Sequence, residues 1–283
     1  MIQKFKVLIL LMLSYPAFAQ DDVENTGKLP VKSTFSSGFL IETPSIITNF
    51  KGTLEFNIQH RFSTMQNGFS DIFGIYGGTN TRMAISYGIT DKITVGIGTT
   101  QNNKLQDLNW KFSIIKQNRE GSIPVSISYF GNFVVDARDK EFFPPTATYR
   151  FIHRFSYFTE IMIARKFNNI LSLQFAPQFV YYNSVDTVNK NFNYGFSFGG
   201  RVKMWDSKSI IFELDQPLTK NSNSKNNLAF GFDISTATHA FQIFLTNYQG
   251  IIGQQNLVYN SNNPFTKEIS KNFMLGFNIT VRF

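Results

Sequence analysis

Three histidines and no cysteine are all the imidazole and thiol this chain offers for nucleophilic, acid–base or metal chemistry. His60, His153 and His239 stand far apart, and no two have the spacing at which zinc ligands recur. Thiolate sites and disulfides are excluded outright. A serine hydrolase needs a histidine beside its serine. His153 precedes Ser156 by three positions, which on a strand places the two on opposite faces. A His–Asp pair that activates water would bring His153 to Asp136 or Asp139, and no spacing fixes that approach. Gly96-Ile97-Gly98 lies inside a strand-like run rather than between a strand and a helix, so it is not a phosphate loop. No catalytic residue, cofactor or metal site follows, and the sequence reads as non-enzymatic.

The positions of the charges are more informative. From about Lys51 onward, apolar and polar residues alternate with period two in twelve segments of about 9–14 residues, the length a tilted strand needs to cross a bilayer. Leu54, Phe56, Ile58 and Phe62 oppose Glu55, Asn57, Gln59 and Arg61. Phe192, Tyr194, Phe196 and Phe198 oppose Asn193, Gly195, Ser197 and Gly199. The run at about 157–166 is ambiguous, and Tyr157, Ile161 and Ile163 are taken to share a face. The closing run sets Phe273, Leu275, Phe277, Ile279, Val281 and Phe283 against Gly276, Asn278, Thr280 and Arg282. Pro177 marks a bulge, and Pro124 opens a strand. A short helical turn is expected over 70–78.

The composition agrees with sheet. Aromatics are 16% of the chain, and Phe alone accounts for 32 residues. The formal net charge of +8 is scattered rather than run together, which argues against nucleic acid. The start has the form of an export leader over 1–19. Lys4 and Lys6 precede an apolar run, Val7 to Leu13, too short to span a bilayer; Pro16 and Ala17-Phe18-Ala19 follow.

A soluble sandwich would alternate too. The connections argue for a membrane barrel instead. Links after even-numbered strands are tight, as at Thr90-Asp91-Lys92 and Asn168-Asn169. Those after odd-numbered strands are mostly longer, at about 63–80, 101–106, 136–150, 183–190, 216–227 and 247–270. Short on one side and long on the other is the pattern of bacterial outer-membrane barrels. Tyr181 and Tyr194 flank one long link, as expected of aromatics at a membrane interface.

The sequence-level expectation is therefore an all-β protein, an antiparallel transmembrane β-barrel of about twelve strands. It has short periplasmic turns and longer extracellular loops, and sits in the outer membrane of a diderm, Gram-negative bacterium. The domains are a signal peptide over 1–19, a periplasmic extension or lumen plug over 20–50, and the barrel over 51–283. Its partners are outer-membrane lipid, the barrel assembly machinery and small solutes. Phe273, Phe277 and Phe283 form the aromatic assembly signal of the last strand. With the apolar face toward lipid, Glu55, Arg61, Arg82, Lys111, Arg201, Lys203, Glu213, Asp215, Asp233 and Arg282 line the lumen. They either pair and fill it or tune a pore. A passive, porin-like channel is the first reading. A non-conducting barrel that binds through its loops or N-terminal segment is the second, and an enzyme at the outer face the third.

The runs GTLEFNIQHRF (52–62), DIFG (71–74) and RMAISYGITDKITVGIG (82–98) resemble a Bacteroidota family of outer-membrane β-barrels of unknown function. IARKF (163–167) and FNI (277–279) look similar too. The resemblance covers most of the chain beyond the leader. It implies fold and location, and brings no catalytic residues.

Overall fold

The computed structural model describes residues 29–143, 148–220 and 224–283. The leader, the start of the extension and the rest of residues 1–28 lie outside the described residues. Twelve strands follow one another: β1 (Leu54–Thr64), β2 (Asn80–Thr90), β3 (Ile93–Thr100), β4 (Leu105–Ile115), β5 (Ser126–Asp136), β6 (Phe155–Lys166), β7 (Leu171–Tyr182), β8 (Phe192–Lys203), β9 (Lys208–Pro217), β10 (Asn227–Ser235), β11 (His239–Thr246) and β12 (Met274–Arg282). Each pairs antiparallel with its neighbours in sequence, and β1 pairs with β12, so the sheet closes into a barrel. Closure leaves no edge whose backbone groups would face lipid unpaired.

The alternation sorts the two faces as a membrane demands. Outward positions carry exposed apolar residues such as Met83, Ile85 and Tyr87 on β2, Phe230 and Phe232 on β10, and Ile243 on β11. Their neighbours on the same strands point inward and are buried: Arg82 and Ala84, Ala229, and Gln242. The ambiguous sixth strand takes the expected register, with Tyr157 and Ile161 outward and Ser156 and Glu160 inward. Among the described residues, no helix is long and apolar enough to cross a membrane.

Three local expectations are corrected. Pro177 makes no bulge: its pairing with Phe196 continues an unbroken β7–β8 register. Its missing N–H instead leaves a gap on the β6 side, where the pairing lapses between Glu160↔Gln178 and Ile163↔Phe175. Phe273 does not join the lipid face. It lies just before β12 and is buried, its N–H bonded to the Ile269 carbonyl of a helical turn. The helical turn in the first long connection spans Met65–Asp71 rather than 70–78. Ile72 and Phe73, which follow, have φ of 50° and 54°.

Long and short connections mostly fall at opposite ends of the barrel. One end carries the links 65–79, 137–154, 183–191, 218–226 and 247–273, with only 101–104 short among them. The other carries the segment that precedes β1 and the tight links 91–92, 167–170, 204–207 and 236–238; the β4–β5 link, expected to be tight, is the exception and runs over 116–125.

Candidate functional site

The lumen is occupied by the chain itself. Residues 29–50 enter from the short-turn end. The segment is first tacked to the β4–β5 connection, where the Val31 N–H donates to the Gln117 carbonyl at 2.8 Å and Arg119 to Leu29 at 3.1 Å. It then folds into a tight turn inside the barrel: the Leu40 N–H donates to Thr43 at 2.9 Å and Ser45 to Gly38 at 2.8 Å. A backbone inside a barrel must find partners for its N–H and C=O groups, and here the inward side chains of many strands supply them.

The strongest clamp is Glu213 of β9. Its Oε2 accepts the N–H groups of Ile41, Glu42 and Thr43 at 3.2, 3.1 and 2.9 Å. Its Oε1 accepts the hydroxyl of Tyr248 at 2.9 Å. Gln174 of β7 reads the segment with both ends of its amide, accepting from the Ile46 N–H at 3.2 Å and donating to the Pro44 carbonyl at 2.7 Å. Lys111 of β4 donates to the Gly38 and Ile47 carbonyls at 2.7 and 3.0 Å, bridging the two limbs of the turn. Asn278 of β12 donates to Ile41, and Gln242 of β11 to Leu40.

The other expected lumen residues divide by what they touch. Arg82 holds Asp107 through two hydrogen bonds, at 2.9 and 2.7 Å, and donates to Gln59. Arg282 donates to Glu55 at 2.8 Å and to the Ser36 carbonyl at 3.2 Å. Arg201 grips the segment through the Ser36 hydroxyl and the Ser33 carbonyl. Asp215 accepts the Thr43 hydroxyl at 3.2 Å. Arg61 is fully buried, donates to Asn278 and stacks its guanidinium 4.5 Å from the centre of the Phe244 ring. Asp233 is buried, and its Oδ1 has no hydrogen-bond partner among the described residues. Lys203 is the exception: it sits half-exposed at the short-turn rim, 3.5 Å from an exposed Asp206. It ends its strand, so its side chain reaches water instead of the interior.

The long-connection end is closed as well. The β11–β12 link dips into the mouth and carries a short helix, α1 (Gly253–Tyr259). Tyr248, Ile251, Ile252, Leu257 and Val258 are buried there. Leu257 and Val258 share an apolar core with Phe35, Leu40 and Ile46 of the entering segment and with Phe130, Phe158, Met162 and Val180 of the wall. Plug, loop and barrel thus meet in one dry cluster. Reading apolar residues as lipid-facing misses these inward ones. Their signal is a break in alternation: Tyr129-Phe130, Tyr157-Phe158, Phe179-Val180-Tyr181 and Ile210-Ile211-Phe212 each put an apolar residue on the polar parity.

Two further groups bear on chemistry. The ligand atoms of Glu42, Glu213 and Asp215 lie within 4.8 Å of one another. Both Glu213 oxygens already accept from N–H and O–H donors, and Asp215 accepts from Thr43 and Asn227, so these carboxylates are spent on holding the segment. Burial, then the carboxylates of Glu213, Asp215 and Glu160, hold the Glu42 carboxyl well above its ordinary range. His153 lies in a helical turn (Phe151–Arg154) rather than on a strand, so the opposite-face argument does not apply to it. His153, Ser156 and Asp136 line one cavity at the long-connection end. Among the described residues, the imidazole accepts one hydrogen bond, at Nδ1 from the Arg150 N–H at 3.1 Å.

A closed, antiparallel, lipid-facing barrel with a filled lumen defines a membrane β-barrel protein. Over residues 35–283 the sequence matches the model of the family described as "Membrane bound beta barrel domain (DUF5777)", and the chain belongs to that family. No curated protein matches it. Among solved structures, it resembles an outer membrane channel from Pseudomonas putida F1, with a TM-score of 0.51 and 11% identity over 83% of this chain and 97% of that one. KdgM porin has a TM-score of 0.47 and 10% identity over 82% and 99%. Outer membrane phospholipase A from Escherichia coli has a TM-score of 0.39 and 8% identity over 83% and 93%. At these identities the likeness to the Pseudomonas channel is one of fold.

Proposed function

We propose that this chain is an outer-membrane barrel of a diderm bacterium, exported by a cleaved leader, that is closed to solutes and works by binding at its long-connection face. The observation that carries this reading is the double filling of the lumen, by residues 29–50 from one end and by the loop bearing α1 from the other, joined in one apolar core. A porin lumen is wet and lined by charges that face water; here most of the charged side chains are buried, against the chain's own backbone or against one another. The short-turn and long-connection asymmetry supports an outward-facing loop end. The reading involves no catalysis.

The test is single-channel recording in a planar bilayer, on the full chain and on a variant lacking residues 20–50. The full chain is expected to stay silent. The deletion is expected to stay silent or to flicker, because α1 still fills the mouth. Stable steps from the full chain would overturn the reading and favour a passive channel for small solutes. Stable steps from the deletion alone favour a second reading, a gated channel. The polar side chains left by the segment support it: Gln174, Lys111, Arg201 and Asn278 would line a hydrated passage once it withdrew.

A further inference from the structure

At the short-turn end, a cavity of about 730 Å³ opens where three parts of the chain meet. Lys32 of the entering segment, Arg119 of the β4–β5 link, and Arg165 and Lys166 at the end of β6 line it, against a single carboxylate, Glu120. Its volume falls in the range of small-molecule sites.

Hydrogen bonds hold the three walls in place. The Gln117 side-chain amide donates to the Lys166 carbonyl at 2.9 Å and accepts the Lys166 N–H at 2.8 Å, which ties the link to β6. Lys166 Nζ donates to the Lys32 carbonyl at 2.9 Å, which ties the segment to β6. Backbone contacts, not carboxylates, bring the cations together.

Their charge is not answered within the cavity. Among the described residues, no ion pair joins Lys32, Arg119 or Lys166 to a carboxylate, and the exposed Glu120 pairs with none of them. The Lys32 and Arg119 side chains are exposed and donate to no described residue, and Lys166 spends one of its three N–H groups. Arg201, Lys203 and Arg119 lie close enough to Lys166 to repel its ammonium. Like charges held together raise the free energy, and an anion among them lowers it.

The surroundings say which anion. Tyr157 and Ile161 of β6 face outward, and Arg165, four residues past Ile161, has the same parity. It is buried nonetheless, with its guanidinium 5.1 Å from the centre of the Phe167 ring, so it is a fixed charge at the back of the cavity. An arginine on the lipid-facing parity at a strand end lies at headgroup depth, where its charge is tolerated. Ile123 of the link and Ile170 of the β6–β7 turn are exposed beside residues that line the cavity. Cations flanked by exposed apolar side chains suit a ligand with an anionic head and an apolar tail.

We propose that this cavity binds the phosphate of an anionic phospholipid from the leaflet at the short-turn end, with Lys32, Arg119 and Lys166 donating to its oxygens. The lipid then joins the entering segment, the β4–β5 link and β6 through one headgroup, and holds the segment where it enters the barrel. Inorganic phosphate offers the same oxygens without the tail. The proposal does not rest on the closed lumen.

The experiment uses the full chain in nanodiscs of phosphatidylcholine, with phosphatidylglycerol added to the disc or inorganic phosphate added to the buffer at constant ionic strength. Native mass spectrometry counts retained lipid, and hydrogen exchange over 29–37 reads the seating of the segment. Phosphatidylglycerol is expected to be retained and to slow that exchange. Lys32→Gln combined with Arg119→Gln removes two charged donors and should weaken retention roughly tenfold or more. Both side chains are exposed, so heat-modifiable migration is expected to stay unchanged. Lys92→Gln, at an exposed lysine of the β2–β3 turn outside the cavity, should leave retention as in wild type. No retention, or an equal loss in Lys92→Gln and the double variant, overturns the site, the latter because it reports general attraction to a basic surface. Slowed exchange with inorganic phosphate but not with phosphatidylglycerol overturns the lipid and identifies free phosphate as the source. Conductance reports independently: a conducting barrel that retains the lipid refutes only the closed lumen, and a silent barrel that retains none refutes only this site.

Discussion

Replacing Glu213 with alanine removes one side chain that holds two separate parts of the plug. Its Oε2 takes three backbone N–H groups of the entering segment, and its Oε1 takes the Tyr248 hydroxyl of the inward loop. All four donors are buried. A buried donor left without a partner costs about 1–3 kcal/mol. Four would cost about 4–12 kcal/mol if nothing relaxed, and water entering the vacated space brings the value toward the lower end. At about 1.4 kcal/mol per factor of ten, a loss of about 4 kcal/mol raises the opening of the segment roughly a thousandfold. Hydrogen exchange by mass spectrometry over 38–48, on the folded barrel at one pH, reads that opening directly. Glu213→Gln retains an acceptor for the N–H groups, and its amide donates to the tyrosine oxygen. It loses only the charge assistance, about half the strength of each bond, and exchange should accelerate roughly tenfold. Exchange over 38–48 within threefold of wild type in Glu213→Ala would refute the clamp.

Lys111→Ala frees the Gly38 and Ile47 carbonyls. Two hydrogen bonds from a charged donor contribute about 3 kcal/mol, so the same peptide should exchange about a hundredfold faster. A Cβ on Gly253 would stand 2.6 Å from the Phe158 ring, so Gly253→Ala should expel α1. Protease cleavage within 247–273 should increase while the strands stay protected. Glu42 in the folded chain holds its proton above the ordinary value of 4.5. Its contribution to plug seating is therefore complete below that pH and lost as pH rises through the raised value. Wild type should unfold at a lower temperature at pH 8 than at pH 5, and Glu42→Gln should flatten that difference.

The barrel was legible in the sequence because its physics is repetitive. A strand with lipid on one side and a polar interior on the other writes the same two-residue period twelve times. The ten inward charges follow from the same parity, and nine of them are at inward or seam positions; Lys203 departs because a strand end escapes the rule. What the charges bind was not legible. Glu213, Lys111 and Arg201 take backbone groups from residues far away in sequence, and backbone carries no side-chain signature. The dry core was hidden for a different reason. Phe130, Phe158 and Met162 look like lipid-facing residues in the wrong phase until a plug is there to cover them. The opposite-face argument for His153 and Ser156 fails because His153 sits in a turn of helix that precedes β6.

The β1–β12 seam is where the two ends of the barrel chain meet, and the entering segment is bonded to its β12 side, which β1 holds in turn. Asn278 and Arg282 of β12 hold Ile41 and Ser36, and Glu55 of β1 holds Arg282. Ring closure is thus a pairing between elements at opposite extremes of the sheet, the slowest kind of contact to form. A folded turn with Phe35, Leu40 and Ile46 at its core cannot readily thread a finished ring already packed with Phe130 and Phe158. On the closed-barrel reading the segment is expected to be enclosed before or during closure, with β12 pairing last against β1. Insertion of this barrel is an order-of-assembly problem in which the earliest part of the fold is wrapped by the last, so the time at which the plug is seated is the time at which the protein is made.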